Sequence, residues 1–599
     1  MTTQNNRRAQ PGAMTWDRWA IIFAVIAAFT WLGVTYLALV VGHRLAGTGV
    51  SVPANPFDAA FGMLAGEVPW PGAAGWLVLG GLLAVVAVLV GLVIKLRLRD
   101  RRDSTRVDRA AAYMGVGRDI HGVSEANARE FAGRHEIEGA FGLPLGTLVA
   151  VAVWLYSTWE DMLVTIAGTR MGKTVSVVIP QILAAPGALL ATSNKRDVVD
   201  ATRDVRAASG AVRVFDPQQI VGEEPTWWWD PLSRVVDEEK AADLAAHFAA
   251  ARMTADAKKD VHFESNAEDL VACCLLAAAL DKRPITQVYT WATRPGDDEP
   301  GHILRAHGFP MQADQFMGIN TTPDKERGSI YSTARRMLSC LTSRKLAPWI
   351  TRDPARPRPH FDISEFVASK GTLYLMSKED SGNCGAIVAA LTAAVCEEAE
   401  ALAERSPRGR MPVPFVGVLD EVANVCRWRN LPSLFSHYGS KGIILNPVLQ
   451  SYAQGEGIWG KAGMALLWGT ANVKMYLGGV TERSFLEDLA AIIGDYDKLT
   501  SSVSTGRGQR SVSQQLHRER ILGVDELAAL PKGRAVVLSS GSRPTLMRTV
   551  PWMRGKHANA VEASILAHDP HGSRTIDDLE REVVQVESSD GDQAMEAAS

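Results

Sequence analysis

Two long apolar runs near the start of the chain constrain its fold more than any other feature. Residues 19–42 read WAIIFAVIAAFTWLGVTYLALVVG and residues 71–94 read PGAAGWLVLGGLLAVVAVLVGLVI, and neither run holds a charged side chain. Each exceeds the ~20 residues that cross the hydrocarbon core of a bilayer as a helix. Both are too long for the apolar core of a signal peptide. We therefore predict two transmembrane helices, joined by an extracytoplasmic loop at residues 43–70.

The basic residues around these runs indicate the orientation of this hairpin. Basic side chains flank both outer ends, whereas the loop between the runs holds only Arg44. The flanking set consists of Arg7, Arg8, Arg18, Lys95, Arg97, Arg99, Arg101, Arg102, Arg106 and Arg109. Because positive charges stay on the cytoplasmic side, we predict an inner or plasma membrane protein with a cytoplasmic N-terminus at residues 1–18 and most of the chain in the cytoplasm. Two buried helices of a soluble protein are the alternative, which length and flanking charge disfavour.

The composition of the remaining chain changes twice. Strand-like apolar runs follow residue 140, and the segment 235–285 is then rich in Ala and Leu at helical spacing. From residue 371 onward, short β-branched runs alternate with helical segments. These runs are PVPFVGVLD, GIILNPVLQ, NVKMYLGG and GRAVVLSSG. The pattern is typical of a parallel sheet covered on both faces by helices, interrupted by a helical block.

The stretch VTIAGTRMGKTVSVVIPQIL, residues 164–183, has the order strand, glycine-rich loop and helix start. Its segment AGTRMGKT fits the spacing of a phosphate-binding P-loop. The predicted loop residues are Ala167, Gly168, Thr169, Arg170, Met171, Gly172, Lys173 and Thr174. Lys173 would place its charge on the terminal phosphates, and Thr174 would offer its hydroxyl to Mg²⁺. Ala167 replaces the usual first glycine, which is tolerable if its φ is not positive. Pro180 is expected to kink the following helix.

A P-loop requires a carboxylate partner, and VPFVGVLDEVAN supplies two acids at the end of an apolar strand. Strands that end at the same edge of a parallel sheet deliver their next side chains to one crevice. We predict that Asp420 holds Mg²⁺ and that Glu421 orients or deprotonates the attacking water. A third strand, GIILNPVLQ, ends at Gln450, which could contact the γ-phosphate or that water. Each of these signals is weak alone, and their combination predicts ATP hydrolysis.

The remaining sequence features exclude few functions. With 63 basic and 66 acidic residues, net charge neither supports nor excludes binding of DNA. The 6 cysteines lack C-x-x-C spacing, and the 13 histidines lack metal-ligand spacing. We therefore expect buried thiols and no metal beyond the Mg²⁺ of the nucleotide. Trp227, Trp228 and Trp229 are interpreted as packing at a domain boundary rather than as a stacking surface for bases, and the basic segment 351–360 as a solvated linker.

Several blocks of the sequence resemble one family, in order over residues 160–553. They are AGTRMGKTVSVVIPQILAAPGALLATSNKRDVVDAT, FDP with WWWDPL, RGSIYSTARRML, FDISEFV, GVLDEVANVCRWRNLPSLFSHYGSKGIILNPVLQSYAQ and ILGVDELAALPKGRAVVLSSGSRPTLM. The family is the type IV coupling proteins, the VirD4/TraG/TraD-like ATPases of conjugation and type IV secretion. The resemblance implies an α/β fold class, with an N-terminal transmembrane hairpin and a RecA-like nucleotide-binding domain that an all-α domain interrupts.

The resemblance also implies a division of the chain and a set of partners. The segments are a membrane-proximal stem (95–140), the first half of the nucleotide-binding domain (141–236), an all-α domain (237–346), the second half of the nucleotide-binding domain (347–565) and an acidic, disordered tail (566–599). Such proteins form hexamers, and they pass relaxase-bound single-stranded DNA or effector proteins to a secretion channel, with the all-α domain meeting the cargo. The implied ligands are ATP and Mg²⁺.

The chain departs from the family pattern in two places. The segment after the second strand reads SNKRD, which leaves Asn194, Lys195 and Arg196 without a role. The arginine that acts across the subunit interface in some members is absent from HYGSKG. The trans-acting residue is therefore left open: Lys441 is one candidate, and a residue from elsewhere, for example Arg483, is the other. Two alternatives remain for the function. One is an FtsK/SpoIIIE-like DNA pump or ESX-type secretion ATPase, and the other is a non-hydrolysing membrane adaptor with a vestigial P-loop.

Overall fold

The structure is a computed structural model that describes residues 16–102, 105–251, 261–378, 384–506 and 509–570. Most of the predicted cytoplasmic N-terminus (1–18) and of the predicted acidic tail (566–599) lies outside these residues. The chain divides into two compact units. Met1–Arg109 and Asp495–Arg520 form the first, and Ala110–Gly494 and Ile521–Ser599 form the second.

The secondary structure is as follows. The α-helices are α1 (Trp16–Ala46), α2 (Pro56–Leu64), α3 (Gly72–Arg102), α4 (Glu125–Arg134), α5 (Ile179–Ala184), α6 (Asp197–Ala207), α7 (Glu238–Ala250), α8 (Val261–Leu280), α9 (Thr286–Ala292), α10 (Glu299–Ala306), α11 (Pro310–Asn320), α12 (Asp324–Met337), α13 (Ala347–Ile350), α14 (Ile363–Ala368), α15 (Gly385–Arg405), α16 (Val422–Val425), α17 (Leu431–Tyr438), α18 (Tyr452–Thr470), α19 (Arg483–Ile493), α20 (Val524–Ala528) and α21 (Ala558–His568). The strands are β1 (Leu143–Leu148), β2 (Trp154–Ser157), β3 (Leu163–Ile166), β4 (Leu189–Ser193), β5 (Val212–Phe215), β6 (Thr372–Met376), β7 (Phe415–Leu419), β8 (Ile443–Leu449), β9 (Val473–Tyr476), β10 (Asp495–Gly506), β11 (Gln509–Arg520), β12 (Arg534–Ser539) and β13 (Thr545–Arg548).

Helices α1 and α3 of the first unit contain the two apolar runs. Ala24–Ala46 (23 residues, mean hydropathy 2.2) and Gly72–Gly91 (20 residues, mean hydropathy 2.5) are long and apolar enough to cross a membrane. The two helices pack through Val34, Ala38 and Leu79. Their outward faces are also apolar, since large hydrophobic side chains of both helices are exposed. Two apolar surfaces of this kind fit a lipid environment better than water.

The first unit also contains a long two-stranded ribbon that the sequence patterns did not predict. Strands β10 and β11 pair antiparallel from Asp495–Arg520 at the base to Gly506–Gln509 at the end. Lys498 and Glu519 form a cross-strand ion pair at 3.0 Å. The ribbon is rich in Ser, Thr and Gln, without the apolar alternation that marks a half-buried strand.

An eleven-stranded mixed sheet forms the centre of the second unit, in the order β2-β1-β13-β12-β9-β3-β8-β7-β4-β6-β5. The strands from β9 to β5 are mutually parallel. Every residue of β3, β4, β6, β7 and β8 is buried, as expected for a parallel sheet covered on both faces. The prediction that GRAVVLSSG continues the parallel pattern is wrong, because β12 pairs antiparallel with β9. Since β12 is as buried as its parallel neighbours, composition could not reveal its direction.

Helices make up the described residues between β5 and β6, and two ion pairs tie this helical block to the sheet domain. Arg234, just before α7, binds Glu398 of α15 at 2.9 Å. Lys240 of α7 binds Glu397 at 2.8 Å. Helix α8 lies beside α7 and contacts α9 to α12 in turn. The assignment of residues 237–346 as a separate all-α domain stays a prediction.

The tryptophan triplet lies where the chain enters this helical block. Trp227 and Trp229 are buried, and the Trp227 ring lies 5.5 Å from that of Trp349 and 5.1 Å from that of Phe361. Trp228 is only partly buried and packs edge-on against His360. The interpretation of the triplet as a packing cluster is thus confirmed for its two outer members.

Candidate functional site

The predicted P-loop leaves the carboxyl end of β3 and turns tightly against the loop that follows β9. Gly168 donates its backbone N–H to Gly478 at 2.9 Å. A Cβ on Gly168 would lie 2.1 Å from the Gly479 carbonyl oxygen, so no side chain fits there. Gly172 has a φ of +85°, which favours glycine. Ala167 has no positive φ, so the condition for an alanine at the first loop position is met.

The helix after the loop is irregular. Residues Thr174–Val178 form a π-helical turn, and α5 then begins at Ile179 with Pro180 in its first turn. Proline has no N–H to donate, and the first turn is where that loss costs least. The helix changes from π to α geometry just before Pro180, and the kink expected there stays a prediction. Short π-helical segments of this kind often lie at functional sites.

Lys173 is the centre of a cluster of buried charges. Its Nζ lies 3.1 Å from Asp420 Oδ1 and also contacts Glu421 Oε1. The three side chains are 14%, 5% and 6% exposed, so this contact is nearly closed to water. Burial raises the pKa of Asp420 to about 6, and Lys173 opposes part of that shift. Burial lowers the pKa of the Lys173 ammonium, but Asp420 and Glu421 outweigh this effect and raise it overall.

Glu421 and Gln450 complete the cluster. Gln450 Nε2 donates to both carboxylate oxygens of Glu421, at 2.9 Å and 2.7 Å. Gln450 itself is positioned by a bond from its backbone N–H to the side-chain oxygen of Gln454, at 2.9 Å. Glu421 has a left-handed backbone with a φ of 52°, an uncommon conformation for a residue other than glycine. The structure therefore brings Lys173, Asp420, Glu421 and Gln450 into one group.

Other side chains that support this group were not predicted. Thr192 of β4 donates from Oγ1 to the Asp420 carbonyl at 2.8 Å. Asn446 of β8 accepts from Thr165 at 3.0 Å and donates to Gln181 at 2.8 Å, all within the core. These residues fix the carboxyl ends of β3, β4, β7 and β8 relative to one another. Their only signal in the sequence is a polar residue inside an otherwise apolar strand.

The two candidates for a trans-acting cation have partners of their own. Lys441 binds Glu400 at 2.6 Å and Glu404 at 2.7 Å. Arg483 is 85% exposed on its side chain and pairs with Glu487, one helical turn away, at 2.7 Å. Neither contacts the group around Lys173 within the described residues. A trans-acting role for Lys441 or Arg483 stays a prediction.

The SNKRD segment contacts the C-terminal helix. Arg196 binds Asp200 at 2.5 Å, and its Nη2 donates to the His568 carbonyl of α21 at 2.6 Å. Ser564 of α21 also donates to the Asp200 carbonyl at 2.6 Å. Arg196 therefore links α21 to α6, so its contacts serve the packing of these two helices.

The group has the chemical features that binding of a phosphate requires. Its loop lies at a helix start, where backbone N–H groups favour anions. Gly172 leaves open the space that a side chain would fill, and Gly168 allows the close approach of the loop after β9. The ammonium of Lys173 faces two carboxylates on the neighbouring strand end. A hard divalent cation takes oxygen ligands of the kind that Thr174 and Asp420 carry. The fold and this site define a RecA-like P-loop protein.

Comparisons with known proteins found relatives that are similar in sequence. The family described as "TraM recognition site of TraD and TraG" matches residues 414–532. Protein VirD4 of Agrobacterium fabrum is 24% identical over 400 residues, or 64% of this chain, and the chain spans only 58% of that protein. Protein VirD4 of Rhizobium rhizogenes is 23% identical over 483 residues, which cover 78% of this chain and 68% of the relative.

Solved structures show the same fold. The bacterial conjugative coupling protein TrwBdeltaN70, in an unbound form, superposes with a TM-score of 0.50 at 17% identity, over 72% of this chain and 92% of its own. TrwB in complex with a non-hydrolysable ATP analogue gives a TM-score of 0.51 at 17% identity and the same coverage. In its sequence the chain is thus similar to the VirD4 coupling proteins, and in its fold to TrwB.

The raised pKa of Asp420 predicts a pH effect on stability. An acid whose pKa is near 6 when folded, but about 3.9 when unfolded, binds its proton more tightly in the folded state. The nucleotide-free chain therefore loses stability from this group as pH rises from about 4 to about 6. Asp420→Asn cannot lose a proton at this position, so its stability lacks this pH dependence. The melting midpoint of the variant minus that of the wild type should therefore be at least ~2 °C higher at about pH 7 than at about pH 4.5. Thermal unfolding without nucleotide or Mg²⁺ tests this. A constant difference across that range would contradict the burial of an ionising Asp420.

Proposed function

We propose that this chain is a membrane-anchored ATPase that recruits cargo and couples it to a type IV secretion channel. The observation that carries the proposal is the contact of Lys173 with Asp420 and Glu421 beside a glycine-dependent P-loop. TrwB, which shares the fold, has been solved with an ATP analogue. The proposed substrate is therefore ATP with Mg²⁺.

Each residue of the site has a proposed task. The loop from Ala167 to Thr174 surrounds the phosphates, and Lys173 exchanges its two carboxylate partners for the terminal phosphates. Thr174 and Asp420 would hold Mg²⁺, which supplies positive charge to offset the charge of the phosphates. Glu421 accepts the proton of the attacking water, and Gln450 holds the Glu421 carboxylate in place.

This arrangement favours hydrolysis over an adaptor role. A vestigial P-loop would not need a buried lysine paired with two acids, because burying charges is costly unless they are compensated. In this chain the cluster is retained together with Gln450, which bonds to both oxygens of the proposed base. The cost of maintaining this buried group is consistent with selection for chemistry.

The remaining elements of the proposal concern location and cargo. Helices α1 and α3 anchor the chain in the inner or plasma membrane, since their outward faces are apolar. The cargo is relaxase-linked single-stranded DNA or an effector protein, which meets the helical block between β5 and β6. The working assembly is a homo-hexamer that contacts components of the secretion channel. These assignments rest on the resemblance to the type IV coupling proteins.

A transfer assay tests the proposal. The wild-type gene, returned to a cell that lacks it, should restore transfer of cargo, whereas Asp420→Asn should lower transfer at least ~100-fold because the Mg²⁺ ligand is gone. Lys556→Gln is the matched control, since Lys556 is exposed and lies outside the site. The purified full chain should hydrolyse ATP in lipid nanodiscs. Restored transfer by a wild type that hydrolyses no ATP would favour the adaptor instead.

A further inference from the structure

A lysine outside the P-loop motif lies against the loop. Lys532 stands at the turn just before β12, in the sequence LPKGR. Its Cε lies 3.5 Å from the position that a Cβ would take on Gly172, the residue directly before Lys173. The P-loop and Lys532 are separated by more than three hundred residues in sequence, so no motif spacing connects them.

The backbone that carries Lys532 is fixed to the loop through a chain of contacts. Strand β12 pairs with β9, and the Leu527 carbonyl accepts a 3.0 Å hydrogen bond from the Tyr476 hydroxyl. A Cβ on Gly478 would lie 2.9 Å from both the Cβ and the carbonyl oxygen of Leu530. Gly478 in turn accepts the backbone N–H of Gly168. The turn that holds Lys532 is therefore positioned by the same segment that shapes the P-loop.

The ammonium of Lys532 has no partner in the part of the chain that the structure describes. Among the described residues it forms neither a hydrogen bond nor an ion pair, and the residue is exposed. Lys173, by contrast, is neutralised by two acids. A nucleotide would bring several negative charges to this loop, and an unpaired cation beside it would bind them without losing another contact.

We propose that Lys532 is a second cation of the nucleotide site, and that its ammonium contacts the phosphates of the bound nucleotide. This inference rests on the proposed binding of ATP. Lys173 supplies charge from within the loop, and Lys532 supplies it from the β12 side of the same loop. The pair would share the charge of the polyphosphate, which a single lysine and one Mg²⁺ leave partly uncompensated.

Competition binding with the full chain in nanodiscs tests the proposal. A fluorescent ATP analogue is displaced by unlabelled ATP and, separately, by inorganic pyrophosphate, which has phosphates but no base or sugar. Lys532→Gln should weaken both competitors by about tenfold, because a charge-assisted contact to phosphate is lost. Lys532→Arg keeps the charge and should remain within about threefold of the wild type. Lys556→Gln, an exposed lysine elsewhere, should change neither value.

The outcomes separate this inference from the proposed function. If the wild type binds nucleotide and pyrophosphate competes as well on Lys532→Gln as on the wild type, Lys532 does not touch phosphate and the inference is wrong. A loss for ATP alone, with pyrophosphate unchanged, would likewise place Lys532 on the base or sugar. A wild type that binds neither nucleotide nor pyrophosphate would overturn the proposed function, and this inference with it. Equal melting midpoints for the variants and the wild type show that a loss of affinity is not a loss of fold.

Discussion

Replacing Glu421 with glutamine is expected to lower ATP hydrolysis by about 10²–10⁴-fold while nucleotide binding stays close to that of the wild type. Glutamine keeps the shape of the side chain, and it can still bond to Gln450, but it cannot accept the proton of the attacking water. Turnover and the dissociation constant of a slowly hydrolysed ATP analogue are measured on the same sample of full chain in nanodiscs.

Lys173→Ala provides the contrast for this experiment. The lysine carries the charge that holds the terminal phosphates, so its removal should weaken binding and hydrolysis together. It also leaves Asp420 and Glu421 side by side without a cation, and each is almost fully buried. If both variants lost nucleotide binding to the same extent, Glu421 would be a binding residue and its assignment as the base would be wrong.

The members of this site could be named from the sequence because each obeys a local rule. Lys173 belongs to a loop with fixed spacing, while Asp420 and Gln450 directly follow apolar strands. Parallel strands that end at one edge bring such residues together, and the structure places them so. Ala167 is acceptable at the first position of the loop because its backbone has no positive φ. What each residue does in a reaction stays a prediction.

The same reasoning could not predict that Lys532 lies at this site, and the cause is physical. It precedes an antiparallel strand, β12, and the direction of that strand depends on pairing with β9 rather than on its own composition. An exposed lysine in a turn has no periodicity and no motif that marks it. The packing of Leu530 against Gly478 and the position of Lys532 beside Gly172 show that this turn lies on the P-loop. Long-range pairing of this kind is not encoded in any local pattern.

The ribbon formed by β10 and β11 illustrates a second limit. Sequence patterns detect strands through burial on one face, which alternates apolar and polar residues. The residues of β11 from Gln515 to Arg518 are exposed, including Leu516 at 65%. Because these residues of the ribbon are exposed, they leave no apolar signal. The two long apolar helices, α1 and α3, are the opposite case, since length and hydropathy alone predicted both of them.

We expect the exposed face of α10 and α11 in the helical block to determine which cargo the protein selects. Helices α7 and α8 connect this block to the sheet domain, and α10 and α11 contact each other and α8. Side chains on their outer face are exposed, among them Met311 at 74%. Buried residues such as Leu304 and Phe316 hold the two helices in place. The outer face can therefore be changed without disturbing the core that supports it.

Replacing the exposed residues of α10 and α11 with those of a family member that carries different cargo should shift transfer preference toward that cargo by at least ~10-fold, because a few surface residues dominate most protein interfaces. The positions are His302, Arg305, Ala306, Met311, Asp314 and Gln315. ATP hydrolysis should remain as in the wild type, since none of these residues contacts the site among the described residues. Substitutions at Glu562 and Ala563, which are exposed on α21, serve as the control and should leave preference unchanged. Transfer of both cargoes is measured in the same host strain, which expresses either the wild type or the variant. If the original preference persists while the protein folds and hydrolyses ATP normally, cargo is selected elsewhere and the proposed role of this face is wrong.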